Sequence, residues 1–401
     1  MKELNKVRRF IYNCKKCGVC GNKVTAKVPY VCPVRQASPG FEHFYARGKI
    51  IIAQGVLEGR FPLSPDLITA LYSCTLCGNC TTQCGTTDSD TGEQMVATTK
   101  IVEAMRSDVL AEHPEWVPES YRQVLRATQQ YDNPWAMPRA SREKWYRGLD
   151  LIDARREPAD IVLFTGCTIP SSPELSERAK KAVMILNRAG IRVGVLGKDE
   201  VCCGSVQRKI GDKACADELM RRNIATLNRT GCSKVVTLCA GCYTTLHHEY
   251  KAAGTPLSAT VCHIVTLLSE LLKNKKLTLT RSQHRTIAYH DPCHLGRHAG
   301  IFNPPRDILR AIPSITLVER RATREHTICC GAGGGMRLFE GGRLAVAMGE
   351  QALAAARQAG AHALVTACPF CETNLAAAAQ TSADPLPVFD IVDLVYDALG
   401  A

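Results

Sequence analysis

From about residue 159 the chain alternates short, nearly unbroken apolar runs with longer stretches whose apolar positions recur at helical spacing. The runs IVLFTGC, IRVGVLG and KVVTLCAGC are followed by runs of the same kind, TIAYHDPC, ITLVERR and HALVTACPFC. Short apolar runs separated by helices predict parallel strands in α/β units, and recurrence of the same order predicts an internal duplication.

Upstream the pattern is helical, with segments at 41–58, at 64–73 and from Gly92 to about Ala111. Ser64-Pro65-Asp66 predicts a helix start, because Ser can cap free N–H groups and Pro fits the first helical position. That helix would deliver Cys74 from its end. Residues 113–148 hold all three tryptophans, Trp116, Trp135 and Trp145, with several prolines. Such large side chains predict a connector packed across domains and not a solvated linker. The expected organisation is α+β overall, with a helical domain at 1–106, a connector at 107–157, and α/β repeats with parallel strands at 158–284 and 285–401.

Composition narrows the picture little. At 401 residues, 45% hydrophobic and 22% charged, the chain reads as two or three soluble domains. No apolar run approaches the roughly 18 residues of a membrane span, and MKELNKVRRF has no secretion-signal core, so the expected location is cytoplasmic. The formal charge is +12, yet Lys and Arg are scattered and no nucleic-acid module is present. A docking face for acidic partner proteins fits that excess, beside the plainer reading of a solvated basic surface.

The cysteines change the picture most. Of 21, ten form two copies of one arrangement: Cys167, the pair Cys202-Cys203 and Cys239-x-x-Cys242, then Cys293, Cys329-Cys330 and Cys368-x-x-Cys371. The intervals are 34 and 35 residues before the pair and 35 and 37 after it, and equivalent cysteines are displaced by 126, 127 and 129 positions. Five converging thiols make a metal-cluster cage, and adjacent cysteines suit a multi-iron cluster better than a single ion, since strand neighbours face opposite ways. Gly204, Gly331, Gly333, Gly334 and Gly335 permit close backbone approach to such a cluster, with N–H groups able to donate to its sulfur. A phosphate loop is the rival for GAGGG, but no Gly-Lys-Ser/Thr follows.

Eight more cysteines lie nearer the N-terminus, as Cys14-x-x-Cys17-x-x-Cys20 with Cys32, and Cys74-x-x-Cys77-x-x-Cys80 with Cys84. In two-cluster ferredoxins the fourth cysteine of one run serves the other cluster. Cys14, Cys17, Cys20 and Cys84 are therefore assigned to one [4Fe-4S] cluster, and Cys74, Cys77, Cys80 and Cys32 to a second. Zinc is the rival, disfavoured because three thiols share each turn. The chain departs from the ferredoxin spacing in the eleven residues between Cys20 and Cys32, and in Gly85 where Pro follows the last cysteine. Cys215, Cys232 and Cys262 are expected to be small buried hydrophobes. His290, His294 and His298 cluster around Cys293; His294 is the candidate proton donor, while His247, His248 and His263 read as structural and Asp291 as orienting a neighbour.

GCTIP, VCCGS, LCAGC, YHDPCHLGRH, CCGAGGG and CPFCETN resemble the duplicated CCG domain of the heterodisulfide reductase family. The resemblance covers most of residues 10–400 and includes ARGKI at 46–50 and NPW at 133–135, like the HdrD-type members, in which a ferredoxin-like region precedes that domain. It implies that each five-cysteine set holds a noncubane [4Fe-4S] cluster and that the two sites split a disulfide between them. All ten ligands are present. The expected protein is thus an iron–sulfur redox subunit with four [4Fe-4S] clusters, two cubane and two noncubane. No flavin- or nicotinamide-binding motif is evident, so electrons would come from a flavoprotein, another redox subunit or a carrier such as ferredoxin. Two alternatives make it an electron-transfer subunit only, serving a flavin-dependent hydroxy-acid dehydrogenase or a soluble aromatic acyl-CoA reductase complex.

Overall fold

The chain's second half folds into two all-parallel sheets, in a computed structural model that describes residues 1–400. The first contains β1 (Ile152–Asp153), β2 (Ile161–Phe164), β3 (Val193–Val195), β4 (Lys234–Thr237) and β5 (Thr260–His263), in the order β1-β3-β2-β4-β5. The second contains β6 (Arg285–Tyr289), β7 (Ile315–Val318), β8 (Ala363–Thr366) and β9 (Val388–Asp390), in the order β7-β6-β8-β9. Four strands of each sheet therefore follow one plan. The additional β1 comes from the segment read as connector and pairs with β3 through Ile152–Gly194 and Asp153–Val195, so the first sheet recruits chain from before residue 158.

Local chemistry explains the elements. Every residue of β2 and β8 is buried, as expected of parallel strands covered on both faces. The Ser172 hydroxyl accepts from Leu175 N–H and Pro173 takes the first position of helix Pro173–Arg188, whose Leu175, Ala179, Ala182, Val183 and Leu186 form its buried stripe. β5 and β9 each end in a side chain that caps the next helix: His263 accepts from Val265 N–H and Asp390 from Val392 N–H. The two sheets share one hydrophobic core, in which Leu267, Leu268 and Leu271 of the first repeat belong with Ile308, Leu394 and Val395 of the second.

The N-terminal domain is helical, but its boundaries differ from the pattern. The 41–58 segment is a single turn, Glu42–Phe44, then helix Ala46–Leu57, because Tyr45 is extended between them. The 64–73 helix is shorter, Leu67–Tyr72; Ser64 turns its hydroxyl to Asp66 and caps nothing. The third helix is Thr98–Glu112, since Asp88 folds the preceding residues into a turn by accepting from Asp90 N–H, Thr91 N–H and the Thr91 hydroxyl. This helix runs straight through residue 106. The connector then forms helix Glu119–Tyr131 and touches both repeats: the Tyr121 hydroxyl donates to Gly335 O, and the Trp135 indole donates to the Thr168 hydroxyl. Trp145 is buried, whereas Trp116 stacks on neighbouring His113.

Arg106 joins the parts. Its guanidinium is fully buried over the Tyr72 ring and donates to Leu71 O at 3.0 and 2.8 Å, Cys74 O at 2.8 Å, Lys209 O at 2.8 Å and Gly334 O at 2.9 Å. One side chain thus satisfies carbonyls of the N-terminal domain and of both repeats.

In the second repeat, Arg306 is equally buried, paired with Asp291 at 2.6 and 2.9 Å and with Glu319 at 2.6 and 3.0 Å. Arg306→Met leaves the buried Asp291 carboxylate without its paired cation, holding only the Arg324 N–H and the Thr323 hydroxyl. It is expected to cost about 3–5 kcal/mol, read as a lowered denaturation midpoint, whereas Glu319→Gln at the solvent edge costs about 1 kcal/mol or less.

Candidate metal centres

The two N-terminal cysteine loops have the same backbone. Lys16 and Gly18 in one, and Leu76 and Gly78 in the other, take positive φ at 56°, 81°, 56° and 77°. A non-glycine residue held in that region is strained, and the strain occurs at the same place in both loops. Around these turns Cys14 has Cys84 and Cys17 as electrostatic neighbours, Cys32 has Cys77 and Cys74, and Cys80 has Cys77, Cys74 and Cys32. Cys20 lies beside Cys14 and Cys17 and also faces Cys32, so the two groups abut. Cys17 is exposed and Cys77 buried.

Burial pushes the Cys20 and Cys32 thiols up to about 12. Such groups ionise at neutral pH only where a cation holds the thiolate. Lys49 of ARGKI, itself fully buried, donates to His43 O, Ala70 O and the Ser73 hydroxyl and faces Cys74 and Cys32. The donor chemistry fits an anionic thiolate cluster.

In the repeats, each cysteine follows a strand's carboxyl end, where open α/β sheets hold their ligands. Cys167 follows β2, Cys239 follows β4, Cys293 follows β6 and Cys368 follows β8, while the adjacent pairs sit in irregular chain after β3 and β7. All ten are buried. Cys202 Sγ lies 3.6 Å from Cys167 Sγ, and Cys330 Sγ lies 3.2 Å from Cys371 Sγ. Cys203 contacts Cys202 and Cys242, Cys239 contacts Cys242, and Cys329 contacts Cys293 and Cys330. Hydrogen bonds between neighbouring thiols push Cys202, Cys242 and Cys371 well above the ordinary thiol range and hold Cys203, Cys239 and Cys330 well below it.

Two contacts cross boundaries. Cys239 of the first repeat is within hydrogen-bond reach of Cys368 of the second, and Cys77 of the N-terminal domain reaches Cys329. Nine of the ten repeat cysteines line one shared cavity of about 160 Å³; Cys329 instead packs with Cys77 and Cys293. Trp135, Phe370, Lys209, His294 and Arg337 complete much of the wall, with no Asp or Glu among the described residues lining it.

The glycines are placed differently from expectation. Gly204, Gly331, Gly334 and Gly335 have φ of 87°, 94°, 62° and 83°, but Gly333 does not lie in that region. The close approach at Gly333 and Gly334 is to the N-terminal domain's backbone: a Cβ on Gly333 would stand 2.7 Å from Thr75 O, and one on Gly334 would overlap Cys74 O. Gly331 N–H does face sulfur, donating to Cys329 Sγ at 3.4 Å.

The histidines also divide. His294 Nδ1 is 3.4 Å from Cys293 Sγ, and its ring stacks on His298 at 4.7 Å. Burial holds His294 well below the ordinary imidazole range and His298 at about 4. His290, which follows β6, leaves this group and lies beside the Cys330 and Cys371 sulfurs. His263 caps a helix, and His248 contacts His298 O. Of the three remaining cysteines only Cys262 is buried; Cys215 is half-buried against the Cys202 group, and half-buried Cys232 donates to Ala159 O and Lys234 O. Lys209, Arg337 and Arg106 escaped sequence reading, since an isolated cation on a helix or loop carries no local signal of an inward orientation.

Two family models match the chain: a 4Fe-4S dicluster domain over residues 10–87, and a cysteine-rich domain twice, over 161–247 and 287–376. The HdrD polypeptide of the dihydromethanophenazine:CoB--CoM heterodisulfide reductase of Methanosarcina barkeri is 33% identical over 96% of this chain and 93% of its own length. The EtfAB:quinone oxidoreductase of Syntrophomonas wolfei is 27% identical, with 93% of this chain matching 53% of that one. Among solved structures, a hypothetical protein from Helicobacter pylori matches at a TM-score of 0.53 and 11% identity, covering 100% of this chain and 72% of that one, a likeness of fold alone.

Proposed function

Since the chain belongs to the HdrD family of heterodisulfide reductase polypeptides, with a 4Fe-4S dicluster domain before a duplicated cysteine-rich domain, we propose that it reduces a disulfide with electrons received at its N-terminal domain. Membership makes it an iron–sulfur oxidoreductase subunit. In this reading Cys14, Cys17, Cys20 and Cys84 hold one cubane cluster and Cys74, Cys77, Cys80 and Cys32 a second. Cys167, Cys202, Cys203, Cys239 and Cys242 hold a noncubane cluster, as do Cys293, Cys329, Cys330, Cys368 and Cys371. Bound there, the clusters supply one-electron redox chemistry.

The observation that carries the reading is the unbroken series of thiols, from exposed Cys17 through the Cys77–Cys329 contact to the cavity where Cys239 meets Cys368. Reduction of R–S–S–R′ consumes two electrons and two protons, breaks the S–S bond and yields R–SH and R′–SH. Two sites side by side suit a two-electron bond better than one. The chain's own residues bury the cavity, hold Cys293 beside His294, and present Lys209 and Arg337 in a lining that contains no carboxylate among the described residues, a lining suited to an anionic disulfide. Exposed Lys15 and Lys16 immediately precede exposed Cys17, which suits docking of an acidic flavoprotein or carrier.

A second reading, electron transfer alone, is favoured by the quinone-oxidoreductase relative. The two are separated by supplying the anaerobically purified chain with a reduced viologen dye and an anionic heterodisulfide. Two dye electrons consumed per pair of thiols released is the expected result; a chain that oxidises the dye only through an added quinone or flavoprotein is a relay. No helix among the described residues is long and apolar enough to cross a membrane.

A further inference from the structure

The duplication gives each position a counterpart, and one near the clusters is filled by chemically opposite residues. β2 pairs with β4 through Leu163–Val236, and β6 pairs with β8 through Tyr289–Val365. Val365 follows Val236 by 129 residues, the displacement of Cys368 from Cys239, so Tyr289 occupies the place of Leu163 and His290 that of Phe164. Both Phe164 and His290 are completely buried. Phe164 has no polar atom to satisfy. His290 has two ring nitrogens with no nitrogen or oxygen partner among the described residues, and the Cys330 sulfur stands within hydrogen-bond reach of the ring, while its main chain is satisfied through Val365 O and the Thr366 hydroxyl. A buried polar ring costs stability unless a hydrogen-bond partner completes it, and the polar atoms beside this ring are thiol sulfurs. A His290 ring nitrogen and the Cys330 and Cys371 sulfurs all lie within 4.8 Å of one another.

We propose that His290 donates a ring N–H to the Cys330 sulfur, raising the reduction potential of the second five-cysteine site above that of the first, so that the two duplicates are redox-inequivalent. The inference rests on the reading that both sites hold iron–sulfur clusters. An N–H donated to ligand sulfur stabilises the more negative, reduced state, and Phe164 offers nothing equivalent to the first site. His290 is a positioning residue: it acts through Cys330. The second site is also the one reached from the N-terminal domain through Cys77 and Cys329, so the donor favours the electron's arrival there.

The test uses the full chain with its clusters, purified anaerobically, with His290→Phe, the first repeat's own choice at that position, and His290→Asn, which restores an N–H. Redox titration followed by electron paramagnetic resonance is expected to show one midpoint moving to lower potential in His290→Phe, the others unmoved, with iron content at the parent value and partial recovery in His290→Asn. In parent protein labelled with nitrogen-15 histidine, hyperfine spectroscopy is expected to show a weak coupling that His290→Phe abolishes. Unchanged midpoints overturn the proposal. So does loss of iron from His290→Phe, or a coupling large enough for direct iron–nitrogen ligation, either of which makes His290 a ligand. Should His290→Phe fail to accumulate, Phe164→His tests the same idea in reverse, with a rise in the first site's midpoint expected and no rise counting against it. A parent chain with about eight irons refutes the underlying reading instead, and that result is distinct from all the others.

Discussion

Anaerobically purified chain is expected to carry about sixteen irons and as many inorganic sulfides, and a variant with both Cys202→Ala and Cys203→Ala about twelve of each. The expectation follows from supply and geometry. Each repeat offers five buried thiols, one more than tetrahedral zinc accepts, and the adjacent pair lies in irregular chain that can turn both sulfurs inward. Removing the pair takes two of the first site's five donors and leaves Cys167, Cys239 and Cys242. The second site keeps its own five cysteines. Colorimetric iron and acid-labile sulfide, scaled to quantitative amino-acid analysis, decide the matter: zinc at about one ion per site with no sulfide excludes the cluster reading, and an unchanged iron count in the double variant removes these two cysteines from the ligand set.

Arg106→Met is expected to cost upwards of about 3 kcal/mol, because it orphans the carbonyls of Leu71, Cys74, Lys209 and Gly334 together, at roughly 1–3 kcal/mol for each group left unsatisfied. Arg106→Lys is not expected to rescue it, since an ammonium cannot span four carbonyls in the plane of a guanidinium fork. The loss falls on the junction, where Cys74 O and Gly334 O converge on this one side chain beside the Cys77–Cys329 contact. Limited proteolysis should therefore release an N-terminal fragment that retains its iron, cut near residues 113–118, at protease levels that leave the parent whole. A variant as resistant as the parent shows that water replaces the guanidinium.

The repeat architecture was legible because its signals are periodic. Strand runs, cysteine spacings and their displacement all point to the same duplicated unit, and Cys167, Cys239, Cys293 and Cys368 follow strand ends where the pattern put them. Helix starts were less legible: Ser64-Pro65-Asp66 carries the chemistry of a cap, yet Ser64 turns to Asp66 and the helix begins at Leu67. Contacts between parts were not legible at all. Gly333 and Gly334 announce close approach but not to what, and the partner proved to be Thr75 and Cys74 backbone, hundreds of positions away. His290 resembled its neighbours His294 and His298 in spacing, and only the strand register separates it from them. Arg106 sits in an ordinary helical pattern whose inward side chain is fixed by carbonyls from three parts of the chain.

The common core of the two sheets bears on how such a molecule can change over generations. Leu268 and Leu271 are covered by residues of the other half, so discarding either half strips an apolar wall from the survivor. Each sulfur donor, by contrast, is a single small side chain, and exchanging one leaves the strands and helices of both halves in place. Descendants are thus free to lose a redox centre one side chain at a time while being obliged to keep the scaffold that once surrounded it.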